Sequence, residues 1–297
     1  CSQDYEPWLE ESRNKVDWFY SERLEKYIQH KGELAPTPLK RLMEDTDDIL
    51  NFCGNPNEPA FRRRGMVIGN VQMGKTTNYS MLISKAADAG YKVIILLSGI
   101  TNSLRTQTQE RIDESFIGYM SVPNSATDRS LDILRFGTGT DRRPTSFTDL
   151  NSDFRITTQR AAGTMGRLDN QKHEVIFVSK KNVSTLQNIL NYFQEMCELE
   201  KTEKIEKAVL LIDDEADNAS ISTARDPNTP TKINSLIRSI LGLCRRSTYI
   251  GYTATPFANI FIDADSWDEA LEDDLFPSHF ITALEPPTNY IGPHRLF

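Results

Sequence analysis

Two short stretches hold the residue types that can do chemistry on a triphosphate. The first is Gly69-Asn70-Val71-Gln72-Met73-Gly74-Lys75-Thr76, which fits the phosphate-loop pattern G-x-x-x-x-G-K-[ST] at every specified position. Gly69 and Gly74 permit backbone angles that a side chain would block. Such a turn aims several N–H groups and a helix N-terminus at one point, where a di- or triphosphate sits. Lys75 is placed to reach the β- and γ-phosphates, and Thr76 to offer its hydroxyl to Mg²⁺. Gly69, Gln72, Met73, Gly74, Lys75, Thr76 and Thr77 are thus candidate contacts for ATP. The bland alternative is a glycine-bearing turn with a surface lysine.

The second stretch is Val209-Leu210-Leu211-Ile212-Asp213-Asp214-Glu215-Ala216-Asp217. An aliphatic strand here delivers carboxylates to its C-terminal tip, beside the phosphate loop in a doubly wound sheet. One carboxylate can hold Mg²⁺, and a neighbour can position and deprotonate an attacking water. Asp214 is assigned to the metal and Glu215 to the water, with Asp213 as the alternative register for the metal. Lys75, Asp214 and Glu215 are the candidate catalytic set, and Thr76 and Asp214 the candidate metal ligands. The competing explanation is an acidic helix cap after a buried strand.

These residues need a frame to bring them together. Strands are expected at Met66–Ile68, Val93–Leu97, Val175–Val178, Val209–Ile212 and Thr248–Tyr252. Helices are expected between them at Thr76–Ala89, Ser103–Phe116, Val183–Leu199 and Lys232–Cys244. Uninterrupted aliphatic runs suit strands buried on both faces, as in a parallel sheet. The predicted fold class is therefore α/β, a RecA-like phosphate-loop lobe with a mostly parallel central sheet. Before it, three- and four-residue apolar spacing predicts a long helix over 5–31 and a second over Pro38–Phe52. This gives an N-terminal helical extension over 1–60 and an ATP-binding lobe over 61–297. Residues 118–172, rich in Gly, Thr, Ser, Asp and Arg, read as an irregular insertion with short strands.

Composition narrows the class. The chain has 297 residues, 38% hydrophobic and 26% charged, with 34 basic and 42 acidic residues for a net charge of −8. That is a globular composition, and it counts against a surface that is basic throughout. Seven acidic residues between Asp263 and Asp274 supply much of the imbalance. The longest aliphatic run, Val93–Leu97, is too short to span a membrane. No signal peptide is visible, and Cys1 is read as the start of a trimmed fragment. The four cysteines and four histidines form no zinc or disulfide pattern, so a reducing cytoplasm is expected.

Further motifs extend the pattern. Asp214-Glu215-Ala216-Asp217 is a signature of superfamily 2 helicase-like ATPases, and Thr253-Ala254-Thr255 at a strand tip resembles their third motif. The hydroxyls of Thr253 and Thr255 are expected to bond to the acidic motif and couple it to a nucleic-acid groove. Ser98-Gly99-Ile100-Thr101-Asn102-Ser103-Leu104-Arg105 occupies a position where that superfamily touches a nucleic-acid backbone. Asn102, Arg105 and Lys181 are candidate floor residues of the groove.

Taken with Val178-Ser179-Lys180-Lys181-Asn182 and Tyr252-Thr253-Ala254-Thr255-Pro256-Phe257-Ala258-Asn259, these motifs resemble the bacterial endonuclease family carrying the Z-one domain. The resemblance spans roughly residues 60–262. It implies a helicase-type, DNA-dependent ATPase of restriction or phage-defence systems, with double-stranded DNA as ligand. It also implies a second RecA-like lobe and a nuclease region outside this chain, since no nuclease motif is found here. A rival of a different class is an ATP-switched binding protein without a motor cycle. A small-molecule phosphotransferase is another, though no acceptor signature accompanies it.

Overall fold

In the computed structural model, the residues described are 7–69, 74–122, 130–137, 142–157, 168, 171–217, 232–255, 275 and 277–284. Seven strands form one sheet: β1 Phe61–Ile68, β2 Val93–Ser98, β3 Thr145–Ser146, β4 Val175–Lys180, β5 Val209–Asp214, β6 Arg246–Thr253 and β7 Phe280–Ala283. Their order is β3-β4-β2-β5-β6-β1-β7, and every neighbouring pair is parallel. The helices are α1 Leu9–Ser12, α2 Phe19–Lys31, α3 Pro36–Phe52, α4 Lys75–Ala89, α5 Asn102–Ile112, α6 Val183–Glu200 and α7 Lys232–Gly242. The architecture is an α/β, RecA-like one, with β1, the strand that leads toward Lys75, lying between β6 and the edge strand β7 of a parallel sheet.

Helices cover both faces, so each central strand is apolar on both sides. Along β2, Ile94 and Leu96 join one core with Tyr79, Leu82 and Ile83 of α4. Val93, Ile95 and Leu97 join the other with Leu186, Ile189 and Phe193 of α6 and Ile237 and Ile240 of α7. The same alternation runs along β5: Leu210 and Ile212 face the α4 side, Val209 and Leu211 the α6/α7 side. Since strand side chains alternate, this parity fixes which acidic residue at the β5 tip looks toward the phosphate-loop helix.

The N-terminal helices differ from the single helix expected over 5–31. A 3-10 turn at Arg13–Lys15 follows α1, Val16 is extended, and α2 starts at Phe19. The break is held by tertiary contacts. The Trp18 indole N–H donates to the Arg13 carbonyl at 2.9 Å. Asp88, at the end of α4, accepts the backbone N–H groups of Tyr20 and Ser21, both at 2.9 Å. A carboxylate from another helix thus serves as the N-cap of α2. Helix α3 starts at Pro36, two residues before the expected Pro38, with proline at a position where no N–H is needed.

Strand β1 is longer than Met66–Ile68 because Arg62-Arg63-Arg64 joins it in register with Ser247, Thr248 and Tyr249. This basic cluster is part of the sheet and not a loop. Helix α5 ends at Ile112 and passes into a π-turn, Asp113–Ile117, short of the expected Phe116 terminus. β3 is one of the short strands expected within 118–172, while β7 is absent from the expected set. β3 is two residues long, and β7 carries only four.

β7 is anchored by a reciprocal pair. The Arg64 N–H donates to His279 Nδ1 at 3.1 Å, and the His279 N–H donates to the Arg64 carbonyl at 3.0 Å. Burial, then the charges of Arg63 and Arg64, push the imidazole down to about 4. A folded value below the unfolded one means stability present above about pH 6.5 and lost as pH falls toward 4. Acidification from pH 7 to 5 should therefore raise the hydrogen-exchange rates of β7 amides before those of β2 and β5. Uniform exchange across all three strands would remove His279 as the cause.

Candidate phosphate-loop and acidic-motif site

The two ends of the phosphate loop are set by backbone. Gly69 follows β1 and donates its N–H to the Thr253 carbonyl at 2.9 Å. A Cβ there would sit 3.1 Å from Leu284 and 3.2 Å from the Lys75 side chain, so the chain passes closely. Gly74 takes φ +69°, which glycine adopts at little cost, and its carbonyl accepts the Asn78 N–H at 2.9 Å as α4 begins. Lys75, Thr76 and Thr77 form the first turn of α4 and remain partly exposed. Gln72 and Met73 lie outside the described residues.

β6 lies between β1 and β5 in the sheet. Ile68 pairs with Thr253, and Asp214 with Tyr252, so the two tips stand at nearly the same level. Two strand spacings put them about 10 Å apart, a gap that a lysine side chain and a carboxylate span together. Burial pushes the Asp214 carboxyl above its usual range; of the charges that oppose this, Lys75 is the largest, with Lys181 behind it. Glu215 and Asp213 add to the upward push. The start of α4, which carries Lys75, and the β5 tip, which carries Asp214, thus lie at the same edge of the sheet with β6 between their strands.

Asp213 and Asp214 part ways by parity. Asp214 follows Leu210 and Ile212 to the α4 side, partly exposed. Asp213 turns to the other side and is fully buried, its carboxylate 2.9 Å from the Lys181 ammonium and accepting the Tyr249 hydroxyl at 3.0 Å. The alternative register, with Asp213 on a metal, is thus disfavoured by direction and by partners already held.

Glu215 has φ +58°, a left-handed conformation that costs a non-glycine residue about 1 kcal/mol or more. Its N–H donates to Asp214 Oδ1 at 3.1 Å, and its carbonyl accepts the Lys181 ammonium. The next N–H, of Ala216, donates to the Tyr252 carbonyl at 2.9 Å. Two glycines make room for this turn. A Cβ on Gly99 would lie 3.2 Å from Glu215 Oε2 and 2.7 Å from Leu104, and one on Gly251 only 2.9 Å from the Ala216 Cβ. Neither glycine was singled out from the sequence, where nothing marks a glycine that clears space for a residue far along the chain.

The third motif contacts the second, though through only one of its hydroxyls. Thr255 Oγ1 donates to Asp217, the last residue of the acidic motif. Thr253 is buried, and its hydroxyl accepts the Thr255 N–H at 3.0 Å, bracing the turn.

The three groove residues fall in different places. Asn102 is exposed, its side-chain oxygen accepting the Lys180 ammonium at 2.6 Å. Arg105 is buried, donating to the carbonyls of Asp149 at 2.7 Å and Leu150 at 2.8 Å. It fastens part of the 118–172 segment to α5 and offers no guanidinium to a groove. Lys181 is 1% exposed and held by Asp213. For both, the expectation of a nucleic-acid contact is corrected: charge buried against charge or carbonyls is not available at a surface. Lys180, one position earlier, is the lysine that reaches the surface beside Asn102.

Among the described residues no group of three or more His, Cys, Asp or Glu is placed to hold a metal, and no helix is long and apolar enough to cross a membrane. One carboxylate and a hydroxyl are hard oxygen donors of the kind that hold Mg²⁺ together with phosphate oxygens. Asp214, partly exposed at the β5 tip, and Thr76, partly exposed on the first turn of α4, carry donors of that kind.

The domain is a parallel α/β one in which the glycines flanking the Gly69–Thr76 motif and an acidic strand tip lie at the same edge of the sheet. No family model and no curated relative matches the chain. Solved structures similar to it include the helicase domain of Pyrococcus furiosus Hef, at 16% identity and TM-score 0.41, over 74% of this chain and 35% of that one. Another is a variant of S. cerevisiae Dbp5 bound to RNA and ADP BeF3, at 16% identity and TM-score 0.40, over 86% of this chain and 51% of that one. The chain thus spans about a third to a half of those proteins. The likenesses are too distant to carry an activity across.

Proposed function

We propose that this chain is the ATP-binding lobe of a helicase-like, DNA-dependent ATPase of the cytoplasm, of the bacterial restriction or phage-defence kind that the Z-one resemblance implies. The supporting observation is that the strand leading to Lys75 and the strand ending in Asp214 finish at one level of the sheet, with β6 alone between them. Two segments some 140 residues apart in the chain thus bring a cation and a carboxylate to one edge of the sheet.

In this proposal the N–H groups after Gly69 and at the start of α4, with Lys75, hold the phosphates. Thr76 and Asp214 hold Mg²⁺, which neutralises phosphate charge when bound. Glu215 orients a water and accepts its proton. Thr255, bonded to Asp217, links this centre to the β6 tip. Asn102 and Lys180 provide the polar surface nearest the β2 and β4 tips, suited to a DNA backbone. On this reading a second RecA-like lobe and any nuclease would act on the site from outside these residues. An arginine from such a lobe would raise turnover by on the order of 10³-fold or more.

The test is ATP hydrolysis measured with and without double-stranded DNA. Stimulation by DNA supports the motor. ATP binding with DNA-independent, negligible turnover supports an ATP-switched binding protein, and failure to bind Mg·ATP removes both.

A further inference from the structure

Lys180 and Lys181 are adjacent in sequence and opposite in fate. Strand parity sends Lys180 to the α4/α5 side, where it meets Asn102, and Lys181 to the α6/α7 side, into the sheet's interior. β4, which ends at Lys180, does not neighbour β5, because β2 lies between. The Lys181 side chain therefore spans the width of β2 to reach the acidic loop. There it makes two contacts: Asp213 Oδ1 at 2.9 Å and the peptide carbonyl of Glu215.

Those contacts do different things. Asp213 supplies the counter-charge that makes a buried ammonium tolerable. The Glu215 carbonyl belongs to a residue in a left-handed conformation, φ +58°. Its N–H is taken by Asp214 Oδ1, and the following N–H by the Tyr252 carbonyl. Lys181 thus holds the carbonyl side of the Glu215–Ala216 peptide, whose N–H is held by the Tyr252 carbonyl. A local twist that no flanking helix enforces persists only when such contacts over-determine it.

We propose that Lys181 is a positioning residue: its ammonium, oriented by Asp213, fixes the Glu215 peptide and so aims the Glu215 carboxylate at the water to be activated. This rests on the ATPase reading above and adds to it a residue that touches neither nucleotide nor metal. Lys181 also ties the β4 tip, whose outer face carries Lys180, to the catalytic turn.

The test compares wild type, Lys181→Met and the double variant Lys181→Met/Asp213→Asn in single-turnover hydrolysis, Mg·ATP binding and thermal unfolding. Lys181→Met strands a buried carboxylate, so its melting temperature should fall by about 10 °C. Asp213→Asn in the double variant removes that charge while keeping an acceptor for Tyr249, so most of the loss should be regained. Turnover should stay roughly 10²-fold down in both variants, as for a misaimed catalytic group, with Mg·ATP affinity within about threefold of wild type. If the double variant regains turnover together with stability, Lys181 only neutralises Asp213 and the positioning role is overturned. Unchanged turnover in Lys181→Met, or lost Mg·ATP binding in the folded double variant, overturns it equally. A wild-type protein that binds Mg·ATP without turning it over would instead sink the ATPase reading.

Discussion

Replacing Lys75 with alanine should lower Mg·ATP affinity or turnover by on the order of 3 kcal/mol, roughly a hundredfold, as for loss of one preorganised electrostatic donor. The side chain sits on the first turn of α4, partly exposed and outside both apolar cores. The variant should therefore fold normally, and the loss should be functional. There is a second consequence. Lys75 is the largest charge opposing the upward push on the Asp214 carboxyl, so its removal raises that carboxyl further. Residual nucleotide binding should then weaken more steeply on acidification than in the wild type, since a protonated Asp214 cannot join a magnesium complex. Titration calorimetry at pH 8 and pH 6 reads both effects. Affinity and turnover equal to wild type would remove the phosphate-loop assignment.

Glu215→Gln should separate binding from chemistry. Glutamine has the same shape, so the turn at φ +58° and the hydrogen bonds of its peptide group can persist. What disappears is the proton acceptor. Turnover should fall by about 10²- to 10⁴-fold, the usual worth of a general base, while Mg·ATP affinity stays within a few-fold. The contrast with Lys75→Ala is in which step fails. If Glu215→Gln weakened binding and left the rate of bound ATP unchanged, Glu215 would belong to the metal and Asp214 would lose that role.

The strands that carry the site were legible because each is an aliphatic run with a chemical residue at its end. Val209–Ile212 and Thr248–Tyr252 read as buried strands from composition alone, and they lie inside β5 and β6. The choice between Asp213 and Asp214 was not open to the same reasoning. In a sheet buried on both faces, apolar residues occupy both parities, so the pattern gives no clue to which side a terminal aspartate faces. The helices that cover each face supply that answer. The misplacing of Arg105 and Lys181 has a related cause. A cation is expected at the surface unless a partner offsets its desolvation. The partners here are the carbonyls of Asp149 and Leu150 and the carboxylate of Asp213, all more than 30 residues away. The break between α1 and α2 follows suit, since its cap is Asp88, 68 residues beyond Tyr20.

Residue type and spacing along the chain determined the phosphate loop, the acidic strand tip and the α/β alternation, because glycine conformation, lysine charge and aliphatic runs act over a few neighbouring residues. Tertiary structure alone decided that β6 stands between the two motifs, that Asp214 follows the α4 side of β5 while Asp213 takes the other, and that one lysine of an adjacent pair is buried against Asp213 and the Glu215 carbonyl. Those outcomes depend on strand order and on which helices cover which face, and both come from contacts between residues far apart in the chain.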